Sequence, residues 1–214
     1  MKEETRRIRD PIKTQEKIRK HATAEFIRWG YEGARMDRIS AKSGASKNLI
    51  YRYFDNKQEL YIRCLEHVYI EFRKRQDIGH VDHKKPLDAI VALTSRTFDI
   101  FAEYPEILLM LSVENLSRGH FIKQSTIIPS LYNPLKESLD RIINEGKKQK
   151  IFRDQIDLED LYISISALCY FYFSNRSTLS VIFGEYYAKQ DTLAKRKAHV
   201  VDMVVTFVTG RAAT

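Results

Sequence analysis

The sequence has few of the residues that interrupt helices. Its 214 residues include 8 Gly and 5 Pro, and its apolar residues recur every three or four positions almost throughout. This spacing is that of an amphipathic helix, whereas a half-buried strand alternates every two residues. We therefore expect an all-α protein.

Cysteine is also scarce, with only Cys64 and Cys169 in the chain. They lie far apart, within apolar helical patterns, and form neither a CxxC motif nor a set of metal ligands. We expect two buried free thiols, no cofactor and no metal. The one close histidine pair, His80 and His83, could bind a metal, but two ligands in a polar loop are more often simply solvated.

Long apolar runs are missing. A membrane-spanning helix needs about 20 predominantly apolar residues, and the most apolar stretch, 161–173, is shorter and contains two serines. The N-terminal residues mix acids with bases and lack the apolar centre of a secretory signal. We expect no contact with a membrane and a cytoplasmic location.

Common catalytic motifs are missing as well. The sequence contains no GxGxxG, GxxxxGK, HExxH or GxSxG pattern, so it lacks the usual signatures of dinucleotide, nucleotide, zinc-protease and serine-hydrolase sites. We do not expect an enzyme.

Positive charge is present and unevenly placed. Residues 1–60 hold fifteen Lys and Arg against nine Asp and Glu, which is +6 of the total formal charge of +8. We predict a basic domain at 1–60 and a larger, nearly neutral helical domain at 61–214. A basic domain suits a polyanion such as DNA, although a charge bias alone is often only a solvated surface.

The stretch 37–54, DRISAKSGASKNLIYRYF, has the pattern of two short helices joined by a tight turn. Ile39 is the inward anchor of the first helix, and Gly44 suits the left-handed conformation that ends a helix. Ser46 suits the N-cap of the second helix, which buries Ile50 and Phe54. This is a helix-turn-helix pattern; the alternative is a plain helical hairpin.

The second helix of this pair carries hydrogen-bond donors. Lys47, Asn48 and Arg52 fall on its solvent side, as base reading in a major groove requires. Tyr51 and Tyr53 add phenolic donors for phosphates. Lys57 adds charge at the start of the next helix, where free backbone N–H groups already favour an anion.

The segment from Thr14 to about Leu65 resembles the DNA-binding domain of the TetR family of bacterial transcriptional regulators, most specifically in GASKNLIYRYFDNKQEL. The resemblance implies a three-helix DNA-binding domain in which Lys47, Asn48 and Leu49 approach bases. It also implies phosphate contacts, which would be made by Ser46, Tyr51, Tyr53 and Lys57. Many members carry a phosphate-binding Thr where this chain has Ala34, which leaves open whether Arg35 makes that contact.

For the remainder of the chain, the resemblance implies a helical ligand-binding and dimerisation domain. A homodimer would bind a palindromic operator in double-stranded DNA, and a small-molecule effector would change that affinity, most simply as a repressor. Residues 161–184 are similar to a subgroup that includes repressors of nitrogen-heterocycle degradation. A non-specific architectural DNA binder is the alternative, but it would not need so much additional apolar helix.

Two further sets of residues are candidates for this second domain, and ordinary core packing is the alternative for both. The candidate ligand-pocket residues are Phe98, Phe101, Met110, Glu114, Asn115, Tyr132, Tyr162, Phe173, Asn175 and Arg176. The candidate dimer-interface residues, on the last long helices, are Leu158, Leu161, Ile165, Leu168, Tyr172, Leu193, Val200, Val201, Val204 and Val208.

Overall fold

A computed structural model describes residues 10–77, 81–184 and 190–210 of the chain. All regular secondary structure in these ranges is helical, so the prediction of an all-α protein is confirmed. The helices are α1 Pro11–Gly33, α2 Met36–Ser43, α3 Lys47–Phe54, α4 Lys57–Gln76, α5 Pro86–Glu103, α6 Pro105–Leu116, α7 Ile127–Ser130, α8 Asn133–Lys148, α9 Leu158–Ser174, α10 Arg176–Ile182 and α11 Gln190–Thr209, with a short 3₁₀ helix at Ile122–Gln124.

The chain divides into two compact units. The first contains the residues up to Val68 together with Leu109–Thr126, and the second contains Tyr69–Leu108 and the residues from Ile127 onwards. The domain boundary predicted between residues 60 and 61 falls inside α4, as does this division, but the first unit also includes the later segment 109–126.

The first unit has an aromatic interior. The rings of Phe26 and Tyr61 meet edge to face with centroids 4.9 Å apart, and Phe121 lies 4.6 Å from Tyr61. Buried Glu114 accepts hydrogen bonds from the Tyr61 hydroxyl at 3.2 Å and from the backbone N–H of Phe121 at 2.9 Å. Edge-to-face ring pairs and hydrogen-bonded buried polar groups both favour one packing arrangement of these side chains.

The second unit is built around α5, α8, α9 and α11. Its core contains Ile90, Leu93, Leu139, Ile142 and Phe152. A Cβ added at Gly146 would lie 2.1 Å from the Phe152 ring, so only glycine lets that ring reach the helix. The apolar stripes of α9 and α11 also belong to this core and face the interior of the unit.

This placement corrects the predicted dimer interface. Six of the ten predicted residues fill the interior of the second unit, where they are 0–4% exposed: Leu161, Ile165, Tyr172, Val200, Val204 and Val208. The other four are half-buried: Leu158, Leu168, Leu193 and Val201. The period-3.6 pattern correctly found an apolar stripe, but that stripe closes the core of its own subunit.

Three expectations, on cysteines, membrane-spanning helices and metal ligands, can be compared with the described residues. Both cysteines are free and buried. The described helices include none long and apolar enough to cross a membrane, and in the same ranges no three His, Cys, Asp or Glu side chains cluster in a way that could hold a metal. His80, half of the close histidine pair, lies outside the described residues.

Candidate nucleic-acid interface

The turn between α2 and α3 has the geometry that the sequence predicts. Gly44 ends α2 with φ 68° and ψ 15°, and its N–H donates to the Ser40 carbonyl at 2.9 Å. Ser46 begins α3, where its hydroxyl accepts the N–H of Leu49 at 3.2 Å. A left-handed glycine and an N-cap serine two residues later let one helix end and the next begin within three residues.

α3 has one buried and one exposed face. Ile50 and Phe54 are 0% and 4% exposed. The remaining predicted DNA-contact residues of this helix are exposed or half-buried: Ser46, Lys47, Asn48 and Arg52, with Leu49, Tyr51 and Tyr53 beside them. The predicted donors therefore lie together on one short helix, whose opposite face packs into the core.

Lys47 is engaged by its own chain. Its ammonium pairs with the Asp37 carboxylate of α2, and this hydrogen bond raises the pKa of Lys47 above its usual value. Both side chains are accessible, with Lys47 46% and Asp37 73% exposed. A phosphate or base that binds the Lys47 ammonium has to compete with the Asp37 carboxylate.

Lys57 is held as well. Its ammonium donates to the Glu32 carbonyl at 3.3 Å and lies 4.7 Å from the centroid of the Tyr31 ring. Burial lowers the pKa of Lys57, with the negative charges of Glu32 and Glu25 opposing that shift. These contacts fix the direction of the side chain at the N-terminal end of α4.

Glu25 joins α1 to α2 from inside the first unit. Its fully buried carboxylate accepts the Arg38 Nε–H at 2.5 Å and the Arg35 backbone N–H at 3.3 Å, and the Lys42 ammonium lies 3.5 Å away. Burial alone would raise the pKa of Glu25, but the hydrogen bonds and the two positive charges outweigh it and lower the pKa below its ordinary value. The helix pair is thus fixed to α1 by charge as well as by apolar packing.

The structure describes positions 34 and 35 but does not test the phosphate contact. Ala34 is buried at the end of α1, and exposed Arg35 precedes α2 without a side-chain hydrogen bond to the helix start. A phosphate contact by the Arg35 side chain remains a prediction.

Comparison with known proteins decides the family. Residues 18–64 match the family model described as bacterial regulatory proteins, tetR family, and residues 86–204 match the tetracyclin repressor-like C-terminal domain. The chain is 33% identical over 174 residues to the HTH-type transcriptional repressor NicS of Pseudomonas putida, covering 81% of this chain and 82% of that protein. This chain belongs to the TetR family. It is a helix-turn-helix transcriptional regulator.

Other relatives agree with this assignment. The HTH-type transcriptional repressor SCO4008 of Streptomyces coelicolor is 32% identical over 162 residues, which cover 75% of this chain and 78% of that protein. A TetR transcriptional regulator from Chloroflexus aurantiacus shares the fold with a TM-score of 0.68 at 20% identity, over 94% of this chain and 98% of that one. FadR of Bacillus subtilis, solved in complex with stearoyl-CoA, has a TM-score of 0.64 at 18% identity, over 90% and 98% of the two chains.

The predicted ligand-pocket residues of this TetR-family chain do not form one group. Met110, Glu114 and Asn115 belong to the first unit. Met110 is fully buried, and the Glu114 carboxylate already accepts three hydrogen bonds from its own unit. The prediction that Glu114 orients a ligand is therefore corrected, because its acceptor oxygens stabilise the segment 121–122.

In the second unit, the predicted aromatic residues separate into two groups. Phe98 and Phe101 are 2% and 3% exposed and pack on neighbouring rings, with Phe173 4.9 Å from Phe98. Asn175 donates to the Phe171 carbonyl at the end of α9, and half-buried Arg176 begins α10. None of these five residues lines the cavity whose wall includes Arg73.

Tyr132 and Tyr162 are placed differently. Their ring centroids lie 5.0 Å apart, and the Tyr162 hydroxyl accepts a hydrogen bond from Arg73 at 2.7 Å. Arg73 lines a cavity of about 550 Å³. The predicted pocket residues did not include Arg73, which in the sequence is the first of three consecutive basic residues, Arg73, Lys74 and Arg75. Its position beside two tyrosines of distant segments has no signal in a single sequence.

Proposed function

We propose that this regulator is a ligand-responsive repressor that binds a palindromic operator as a homodimer, without catalysis, and acts in the cytoplasm where the operator is. The observation that carries the proposal is the divided surface of α3. Ile50 and Phe54 anchor the helix, while Lys47, Asn48 and Arg52 are exposed to solvent on its other face, with Lys47 paired to Asp37. Phosphate contacts set the depth of such a helix and base contacts set its sequence preference.

The homodimer is supported by apolar side chains on the outer faces of α9 and α11. Ile163 and Phe171 of α9 are 60% and 57% exposed, and Met203 and Phe207 of α11 are 42% and 41% exposed. Large exposed apolar patches mark interaction surfaces. These four residues replace the buried ones as the proposed interface, and a twofold dimer matches the symmetry of a palindrome.

Repression and response to an effector are supported by the relatives. NicS and SCO4008 are both repressors, and FadR has been solved with a bound acyl-CoA. In this chain α4 carries residues of both compact units. An effector that favours one conformation of α4 would change DNA affinity to the extent that it binds one state better than the other.

The test uses fluorescence anisotropy with the DNA upstream of this gene and of its neighbours, in the presence of excess random duplex. We expect one fragment to bind at least a hundredfold more tightly than random DNA, with two protomers per site. Asn48→Ala should alter base preference, whereas Lys57→Ala should weaken all duplexes and reduce the salt dependence. Equal competition by random DNA would identify a non-specific architectural binder and contradict the proposal.

A further inference from the structure

The cavity beside Arg73 lies wholly within the second unit. It has a volume of about 550 Å³ and is lined by the last turns of α4 and the first half of α8. Its apolar wall includes Ile70, Leu131 and Leu135. A volume in this range suits a small organic molecule.

Arg73 differs from the two cations that follow it in the chain. Its neighbours Lys74 and Arg75 both pair with Glu71, at 3.2 Å and 2.7 Å. Among the described residues no carboxylate lies within the 4.0 Å of the Arg73 guanidinium that would make an ion pair. Two of three consecutive cations are thus neutralised locally, and the third is not.

The hydrogen bonds of Arg73 use only one end of its guanidinium. Nη1 donates to the Gln76 amide oxygen and to the Tyr162 hydroxyl, while Nε is buried and has no hydrogen-bond partner in the part of the chain that the structure describes. The planar fork of Arg matches the two oxygens of a carboxylate. A buried donor without an acceptor is costly, so an incoming acceptor is favoured.

Tyr132 adds a second unused donor. Its hydroxyl is buried without a hydrogen-bond partner among the described residues, and its ring centroid lies 5.7 Å from the Arg73 guanidinium carbon. Burial first, and then the charge of Glu159, raise the pKa of Tyr132, so its hydroxyl keeps its proton. The Arg73 guanidinium therefore lies near the ring of Tyr132, whose hydroxyl is a second buried donor.

We infer that the effector of this regulator is a small organic monocarboxylic acid whose carboxylate binds the Arg73 guanidinium and whose apolar body occupies the cavity. The charged side chains of the lining are the cations Arg73, Lys74 and Arg141 and the acids Asp77 and Glu137. Three cations and two acids give a formal charge of +1, which favours a ligand with a single negative charge over a polyanion. This inference rests on the proposed function, because it names the chemical class of the effector.

The test compares acids with their neutral amides on the full-length protein. Benzoate is paired with benzamide and hexanoate with hexanamide, and a panel of further monocarboxylic acids is matched in the same way. Thermal shift and calorimetric titration measure binding. We expect at least one acid to raise Tm while its amide does not, and Arg73→Gln to weaken that acid at least tenfold.

Two further variants separate recognition from folding. Lys74→Gln removes the adjacent cation, which is already paired with Glu71, and should leave acid affinity within twofold. Arg73→Lys keeps the charge but loses the fork, so it should bind the acid with intermediate affinity even if Arg73→Gln fails to fold. Amides that bind as well as acids, unchanged acid binding in both Arg73 variants, or no acid of the panel that binds would overturn the inference.

Operator binding is measured separately on the same preparations. If the upstream fragment is bound specifically but no acid binds, the effector inference fails and the regulator stands. If an acid binds through Arg73 while no fragment is bound specifically, the proposed function fails and the acid site stands.

Discussion

Helices α3 and α9 each bury one face, but their opposite faces differ in chemistry. The outer face of α3 carries Lys47, Asn48 and Arg52, whereas that of α9 carries Ile163 and Phe171. A polar outer face is stable in water and suits a polyanion. An apolar outer face is stabilised when another protein surface covers it. Under the proposed function, the first unit meets DNA through charge, and the second unit meets another protomer through apolar contact.

The largest expected effect tests which face of α9 is interior. Ile165 is fully buried in the core of the second unit, so Ile165→Ala should lower the free energy of unfolding by about 3 kcal/mol through lost contacts and a cavity. Ile12→Ala removes the same atoms from a side chain that is 68% exposed. It should change the free energy of unfolding by less than about 0.5 kcal/mol. Urea unfolding followed by far-UV circular dichroism measures both. Equal effects would mean that the burial of α9 is misassigned.

The second prediction concerns the buried charge of the first unit. Glu25→Gln should lower the free energy of unfolding at neutral pH by about 2 kcal/mol, because Arg38 and Lys42 lose a buried, charged partner. Trp29, the single tryptophan, lies 5.0 Å from the Arg38 guanidinium. Its fluorescence therefore reports unfolding of this unit.

The same variant carries a pH signature. The pKa of folded Glu25 lies below the ordinary value of 4.5, so the unfolded chain takes up a proton first as the solution is acidified. The stability due to this carboxylate is fully present above pH 4.5 and is lost as pH falls through the lowered pKa. Wild type and Glu25→Gln should therefore converge in acid. A difference that stays constant down to pH 3 would exclude ionisation as its source.

The third prediction breaks the proposed interface without touching the core. Phe171→Glu places one charge on the proposed interface of each protomer and should raise the dissociation constant of the dimer at least tenfold, which is about 1.4 kcal/mol. Ile12→Glu adds the same charge to an exposed isoleucine of α1 and should leave the dimer intact. Sedimentation velocity measures both. Dissociation by neither variant would remove α9 from the interface.

The outer face of α3 could be predicted because apolar and polar residues are clearly separated around this helix. Apolar Ile50 and Phe54 share a face at i, i+4, and the residues between them are mostly polar, so only one orientation buries the helix well. Gly44 and Ser46 fixed the turn through local backbone chemistry. Such signals need no knowledge of distant residues.

The rest of the candidate sites depends on contacts between distant segments. α9 has apolar residues on both faces, so its period cannot tell core from interface. Arg73, Lys74 and Arg75 are equivalent in sequence, and only the structure shows that Glu71 takes the last two. Glu25 and Arg38 are thirteen residues apart in separate helices, and their pairing follows from the angle between α1 and α2.

The smallest expected effect concerns the polar outer face of α3. Asp37 holds Lys47 in the free protein, so Asp37→Asn should release that ammonium and increase affinity for specific and random duplexes alike by about threefold, because exposed pairs are weak. Glu145→Gln makes the same change of charge in a surface pair of the second unit, with Lys148 at 3.6 Å, and should leave affinity unchanged. Anisotropy titrations at several salt concentrations measure both, and the gain should shrink as salt screens the charge. If Asp37→Asn weakens binding instead, Asp37 orients Lys47 for DNA and does not compete with DNA for it. The ion pair would then be part of the surface that contacts DNA.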